Sequence, residues 1–82
     1  MGDISSNTFV EIQRVASERL GRDLSELTHA TRASEVSGWD SFAHIDIVIA
    51  LEDLYSIRFQ TSELVLLQTI GELAELIKSK IG

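Results

Sequence analysis

Ser41 has the clearest opportunity for covalent chemistry in this sequence, because it follows Asp40 directly and opens a long apolar stretch. Asp40 is a good N-cap, so the Ser41 hydroxyl is expected at a helix start among backbone N–H groups that no helical carbonyl satisfies. A phosphate ester formed there would meet those N–H groups and the positive end of the helix dipole, an advantage of about 0.3–1 kcal/mol at an exposed site. Position alone does not distinguish this from a serine that simply serves the helix end. His44 follows three residues later, within side-chain reach on a helix, so a nucleophile–base pair has to be weighed. A serine hydrolase also needs an oxyanion hole and shelter from water, and no Gly-x-Ser-x-Gly elbow is present. The expectation is therefore no enzyme, with His44 packing or hydrogen-bonding to the preceding loop and His29 solvated. Histidines this far apart form no recognisable metal site, and a chain without cysteine has neither a disulfide nor a zinc–thiolate centre. Any thiol chemistry must come from an added group.

The helix that Ser41 opens carries two apolar faces. At roughly 100° per residue, Ile47, Val48, Leu51, Leu54 and Tyr55 share one broad face suited to a core. Phe42, Ile45 and Ile49 form a second stripe at three- and four-residue spacing, with Asp46 and Asp53 along one border and Glu52 along the other. Burial on most sides would explain such a stripe in a small bundle. Acidic borders favour a docking surface instead, which reads Asp40, Phe42, Ile45, Asp46, Ile49, Glu52 and Asp53 as partner-binding residues that meet basic proteins.

The elements that must hold this helix in place are legible on either side. Phe9, Ile12, Ala16 and Leu20 share a face, Thr8 and Glu11 suit a capping box, and Gly21 suits the position after the last turn, giving a first helix over roughly 6–20. Arg22 to Trp39 reads as one long polar loop anchored by Leu24, Leu27 and Val36, with Trp39 wedging it against the second helix, expected over 41–57. Thr61 or Ser62 could cap a short helix over 62–67, and Thr69 with Glu72 forms a capping box that opens the last, over 70–81. The fold class is all-α, a small four-helix bundle of three main helices and a short one, with the second helix between the first and last. No repeat or linker divides residues 1–82, so one domain is expected.

Thirteen acidic residues against seven basic ones give a formal charge of −6, which repels nucleic acid and suits a basic protein surface. No apolar run is long enough to cross a bilayer, and no signal-peptide leader precedes the domain, so a monomer in the cytoplasm is expected. The start Met1-Gly2-Asp3-Ile4-Ser5-Ser6 formally fits a myristoylation pattern but lacks the basic residues that usually reinforce it.

Taken together, the arrangement resembles the acyl carrier protein family, whose core motif is Asp-Ser-Leu at the start of the second helix, here Asp40-Ser41-Phe42. The resemblance extends through Ala50-Leu51-Glu52-Asp53-Leu54-Tyr55-Ser56-Ile57 to Thr69-Ile70 at the last helix. It implies that a phosphopantetheinyl transferase, using coenzyme A and Mg²⁺, joins 4′-phosphopantetheine to Ser41. The arm's thiol would then carry acyl groups as thioesters between loading and transferring enzymes. Phe42 replaces the usual leucine, while Ala43 and Leu54 stand where fatty-acid carriers often have acids. With the Gly38-Trp39-Asp40-Ser41 lead-in, this looks more like a carrier of a specialised lipid, polyketide or related pathway. Aminoacyl and peptidyl carriers share the arm, and an unmodified helical interaction module is the alternative outside the family.

Overall fold

The computed structural model describes residues 4–81, with side chains from Thr8 onward. Among them are four α-helices, α1 (Ile4–Leu20), α2 (Ser41–Tyr55), α3 (Thr61–Leu66) and α4 (Ile70–Ile81), plus a 3₁₀ turn over Ala33–Glu35. The all-α bundle and its helix order follow the sequence reading, and the differences lie in its details.

Helix α1 begins at Ile4, so Thr8 is an interior helical residue rather than a cap. It is fully buried and hydrogen-bonds the Tyr55 side chain, which explains a polar residue on the core face. Ile12, Val15 and Ala16 are buried, and Gly21 turns the chain with φ of 67°. Helix α1, not α2, packs its backbone closely against two other helices, α2 and α4, correcting the expected order in space. Side chains from all three still meet in one core built around Ile12, Ile47, Leu51, Leu73 and Ile77.

Helix α2 stops at Tyr55, two residues earlier than expected. Ser56 adopts a left-handed conformation (φ 56°, ψ 47°), and the Ile57 N–H donates to the Glu52 carbonyl at 3.1 Å, closing the end as a Schellman motif. Helix α3 is capped from Gln60, whose N–H donates to the Glu63 carboxylate at 2.8 Å, not from Thr61 or Ser62. The expected capping box at α4 is complete. The Thr69 N–H donates to Glu72 Oε1 at 2.9 Å, and the Glu72 N–H to Thr69 Oγ1 at 3.1 Å.

The long loop is pinned to both ends of the bundle. Leu24 and Leu27 are buried, Val36 packs on the core, and Gln13 Nε2 donates to the Leu24 carbonyl at 2.6 Å. Its middle lies along the start of α4, where the Ile70 and Gly71 N–H groups donate to the Thr31 and His29 carbonyls, both at 2.9 Å. A Cβ at Gly71 would lie 2.8 Å from the His29 carbonyl oxygen, so a hydrogen atom as side chain permits this approach. Trp39, 6% exposed, ends the loop as a core residue.

Candidate functional site

Ser41 is exposed at the first position of α2, as expected. Asp40 holds an extended conformation before it, and its Oδ1 accepts the Ala43 N–H at 2.9 Å. The Asp40 carbonyl accepts the His44 N–H at 2.8 Å, which starts the helical ladder. Ser41 and Phe42 are the first two residues of the helix, where backbone N–H groups have no carbonyl of a preceding turn to bond.

His44 lies on the core face of α2, where its Nδ1 accepts the Trp39 indole N–H at 3.1 Å. Burial holds the imidazole below its ordinary pKa of 6.5, so the ring is neutral near pH 7 and keeps the lone pair this bond requires. That occupation fulfils the expected contact to the loop. It also removes one of the two ring nitrogens from any role as a base toward Ser41. His29 is exposed as expected, and additionally stacks on Phe9 with ring centroids 4.3 Å apart.

The second stripe of α2 is exposed, with Phe42 at 84%, Ile45 at 57% and Ile49 at 51%, while Ile47, Val48 and Leu51 are buried. Leu54 departs from the core reading at 45% exposure. Its helical angle is right, but an open groove between α1 and α2 lies beside it, lined also by Arg14, Arg19 and Asp53. Asp46 sits on the same border, 3.7 Å from the Arg19 guanidinium in a half-exposed pair. Glu52 is placed differently. Its carboxylate accepts the Phe59 N–H at 2.8 Å, approaches Arg58 at 3.6 Å and is only 12% exposed, so it ties down the α2–α3 connection.

Sequence reasoning missed two features of the surface. Val65 and Leu66 of α3 are 74% and 75% exposed and enlarge the apolar surface. A groove of ≈ 610 Å³ also adjoins Ser41, lined among others by Arg32, Ser34, Trp39, His44 and Gln68. The exposed pair could have been suspected from three consecutive apolar residues, Leu64, Val65 and Leu66, in a six-residue helix. The groove had no local signal, because its walls come from the loop, α2 and the approach to α4. Among the described residues no group of acids and histidines could hold a metal ion, and no helix is long and apolar enough to cross a membrane.

An exposed hydroxyl at a helix start beside an open groove suits covalent attachment of a group, which is what a carrier domain needs. Residues 10–77 match the family model described as phosphopantetheine attachment site. The acyl carrier protein of an Exiguobacterium species is 31% identical over 73 residues, which is 89% of this chain and 92% of that protein. That of Saccharopolyspora erythraea is 34% identical over 68 residues, covering 83% of this chain and 72% of the relative. The solution NMR structure of holo acyl carrier protein from Geobacter metallireducens matches with a TM-score of 0.82 at 31% identity, covering 90% of this chain and 85% of that one. The chain belongs to the acyl carrier protein family, with phosphopantetheine as its covalently attached cofactor.

Proposed function

We propose that Ser41 bears the 4′-phosphopantetheine arm, and that the chain acts as a monomeric, single-domain acyl carrier in the cytoplasm for a specialised lipid, polyketide or related pathway. The observation that carries the assignment is an exposed Ser41 hydroxyl at the first position of α2, directly after the Asp40 cap. In the attachment step the Ser41 oxygen forms a bond to the phosphorus that bears the pantetheine in coenzyme A. The bond from that phosphorus to the nucleotide's bridging oxygen breaks, the adenosine bisphosphate leaves, and the serine proton passes to a base on the transferase. The arm supplies a thiol, which this cysteine-free chain lacks, for holding acyl groups as thioesters.

The chain's own residues position the arm and present the carrier. Asp40 fixes the start of α2, and the N–H groups of Ser41 and Phe42 favour the ester's negative charge. His44 is engaged by Trp39, in keeping with a carrier rather than a catalyst. Phe42, Ile45 and Ile49 offer apolar contact to the transferase and the acyl-handling enzymes, while Asp40, Asp46 and Asp53 steer their basic surfaces. Glu52 is assigned to the chain's own fold. Departures from the Asp-Ser-Leu pattern at Phe42, and from acids at Ala43 and Leu54, support the specialised pathway.

Incubation with coenzyme A, Mg²⁺ and a broad-specificity transferase should raise the intact mass by one arm. Ser41→Ala should abolish the gain while its circular dichroism spectrum stays helical. A folded Ser41→Ala protein that is still modified refutes the site.

A further inference from the structure

Helix α3 is held by its ends rather than by the core. Ile57 and Phe59 before it and Leu67 after it pack on the core, but none of its own residues is buried or joins them. Its backbone packs on no other helix as closely as α1 packs on α2 and α4. Val65 and Leu66 stand exposed on it, and its C-cap Leu67, with Gln68, lines the groove that also contains Ser41. Whatever fixes α3 therefore sets part of the surroundings of the attachment point.

One side chain from the last turn of α4 reaches it. Lys80 places its Nζ 3.0 Å from Glu63 Oε1, the same oxygen that accepts the Gln60 N–H at 2.8 Å and caps the start of α3. The ammonium also lies 5.9 Å from the centroid of the Phe59 ring, within reach of a cation–π contact. Lys80 thus grips α3 at its capping carboxylate and at the connection that leads into it. Both partners of the ion pair are mostly shielded, at 21% and 29% exposure, whereas every other ion pair among the described residues has a partner at 47% or above. Shielding protects the attraction from screening by salt. No second ion pair joins α3 to another helix among the described residues. Lys78 supplies the contrast. It lies in the same last turn, but pairs with Glu75 of its own helix at 3.3 Å. A favourable charge at the end of α4 is common to both lysines, and the grip on α3 belongs to Lys80.

We propose that Lys80 is a positioning residue for modification at Ser41: its clamp on Glu63 and Phe59 holds α3, with Val65, Leu66 and the Leu67 side of the groove, in the place where the transferase meets the carrier. The kinetic part rests on attachment of the arm at Ser41, and the grip on α3 does not.

The test uses the full ¹⁵N-labelled chain as wild type, Lys80→Gln, Lys80→Arg, Glu63→Gln and Lys78→Gln. Intact mass first verifies that the wild type takes one arm and Ser41→Ala none, which separates an error in the attachment site from an error in the clamp. Amide hydrogen exchange at Leu64 and Leu67 should quicken about threefold or more in Lys80→Gln and in Glu63→Gln, with Ile12 and Ile47 unchanged. Combining the two substitutions should add little to either, since both break the same pair. Lys80→Arg should restore the wild-type rates, and Lys78→Gln should keep them. In steady-state modification with coenzyme A and the transferase, Lys80→Gln should raise the KM for the carrier about threefold with kcat held, and Lys80→Arg should restore it. Unchanged exchange at Leu64 and Leu67 in Lys80→Gln overturns the proposal. So does quicker exchange with an unaltered KM, or an equal effect of Lys78→Gln.

Discussion

His44 shows how one side chain near a reactive group can be read for the wrong chemistry. Its spacing from Ser41 suits a catalytic base, yet its Nδ1 accepts the Trp39 indole N–H, and the pair fastens the loop to the start of α2. Burial holds its pKa below the ordinary 6.5, because the charged ring is penalised away from water. The sign follows from proton uptake. The unfolded chain binds the proton more readily, so the stabilisation is complete above about pH 6.5 and is lost as pH falls through the lowered folded value. Thermal melts at pH 8 and pH 5 should show a drop in Tm that shrinks in His44→Gln, and an identical drop in both proteins would refute the role. Glu63 and Glu72 act in a separate, more acidic window. Backbone N–H groups of Gln60 and Thr69 hold them below 4.5, so their contribution is lost only at lower pH. The contact from His44 to the loop was legible from its place on the core face. The commitment of Glu52 to the Phe59 N–H was not, since helical angle locates a carboxylate but not a backbone donor seven residues on.

Helix α2 divides its apolar residues between two tasks, and a pair of substitutions separates them. Ile47 is fully buried, so Ile47→Ala should cost about 2–5 kcal/mol and lower Tm clearly. Ile49 is half exposed, so Ile49→Ala should leave Tm nearly unchanged while slowing modification by the transferase. Equal destabilisation by the two would place Ile49 in the core and remove the docking face. Helix α4 supports a different kind of test. Alanine in place of glycine within a helix ordinarily gains about 0.5–1 kcal/mol. At Gly71 the new Cβ would meet the His29 carbonyl at 2.8 Å, and such overpacking costs about 1–3 kcal/mol. Gly71→Ala should therefore lower Tm, and a raised Tm would show that the loop yields without cost. Helix periodicity made α2 and α4 legible, along with the capping box of Thr69 and Glu72. It could not reveal the pairing of the loop with α4, which runs through backbone groups that any residue would supply.

At the scale of the whole molecule, the net charge of −6 acts through its placement. Asp46 and Asp53 border the exposed stripe of α2, but Arg14 and Arg19 of α1 line the neighbouring groove, and Arg19 already approaches Asp46. An exposed pair of this kind contributes about 0–1 kcal/mol, too little to prevent a basic partner from displacing it. Asp46→Lys and Asp53→Lys should each slow association with the transferase severalfold at low salt and reduce its salt dependence, with little change in Tm. Unaltered association rates in both would contradict electrostatic steering by this border. The four-helix order was readable from the alternation of caps and apolar stripes. The central place of α1 was not, because the stripes of α1, α2 and α4 fit one another in more than one arrangement. Leu54 shows the same limit: its angle on α2 was right, and only the assembled molecule places a groove beside it.

The central claim, that the arm is attached at Ser41, is tested most directly by locating the added mass. Trypsin cuts after Arg32 and Arg58, and the fragment between them contains Ser34, Ser37, Ser41 and Ser56, so the digest itself supplies the competing sites. Tandem mass spectrometry of that fragment from the modified protein should place the whole increment on Ser41, with the other three serines unmodified. An increment on any other serine, or on a fragment outside residues 33–58, would contradict the account.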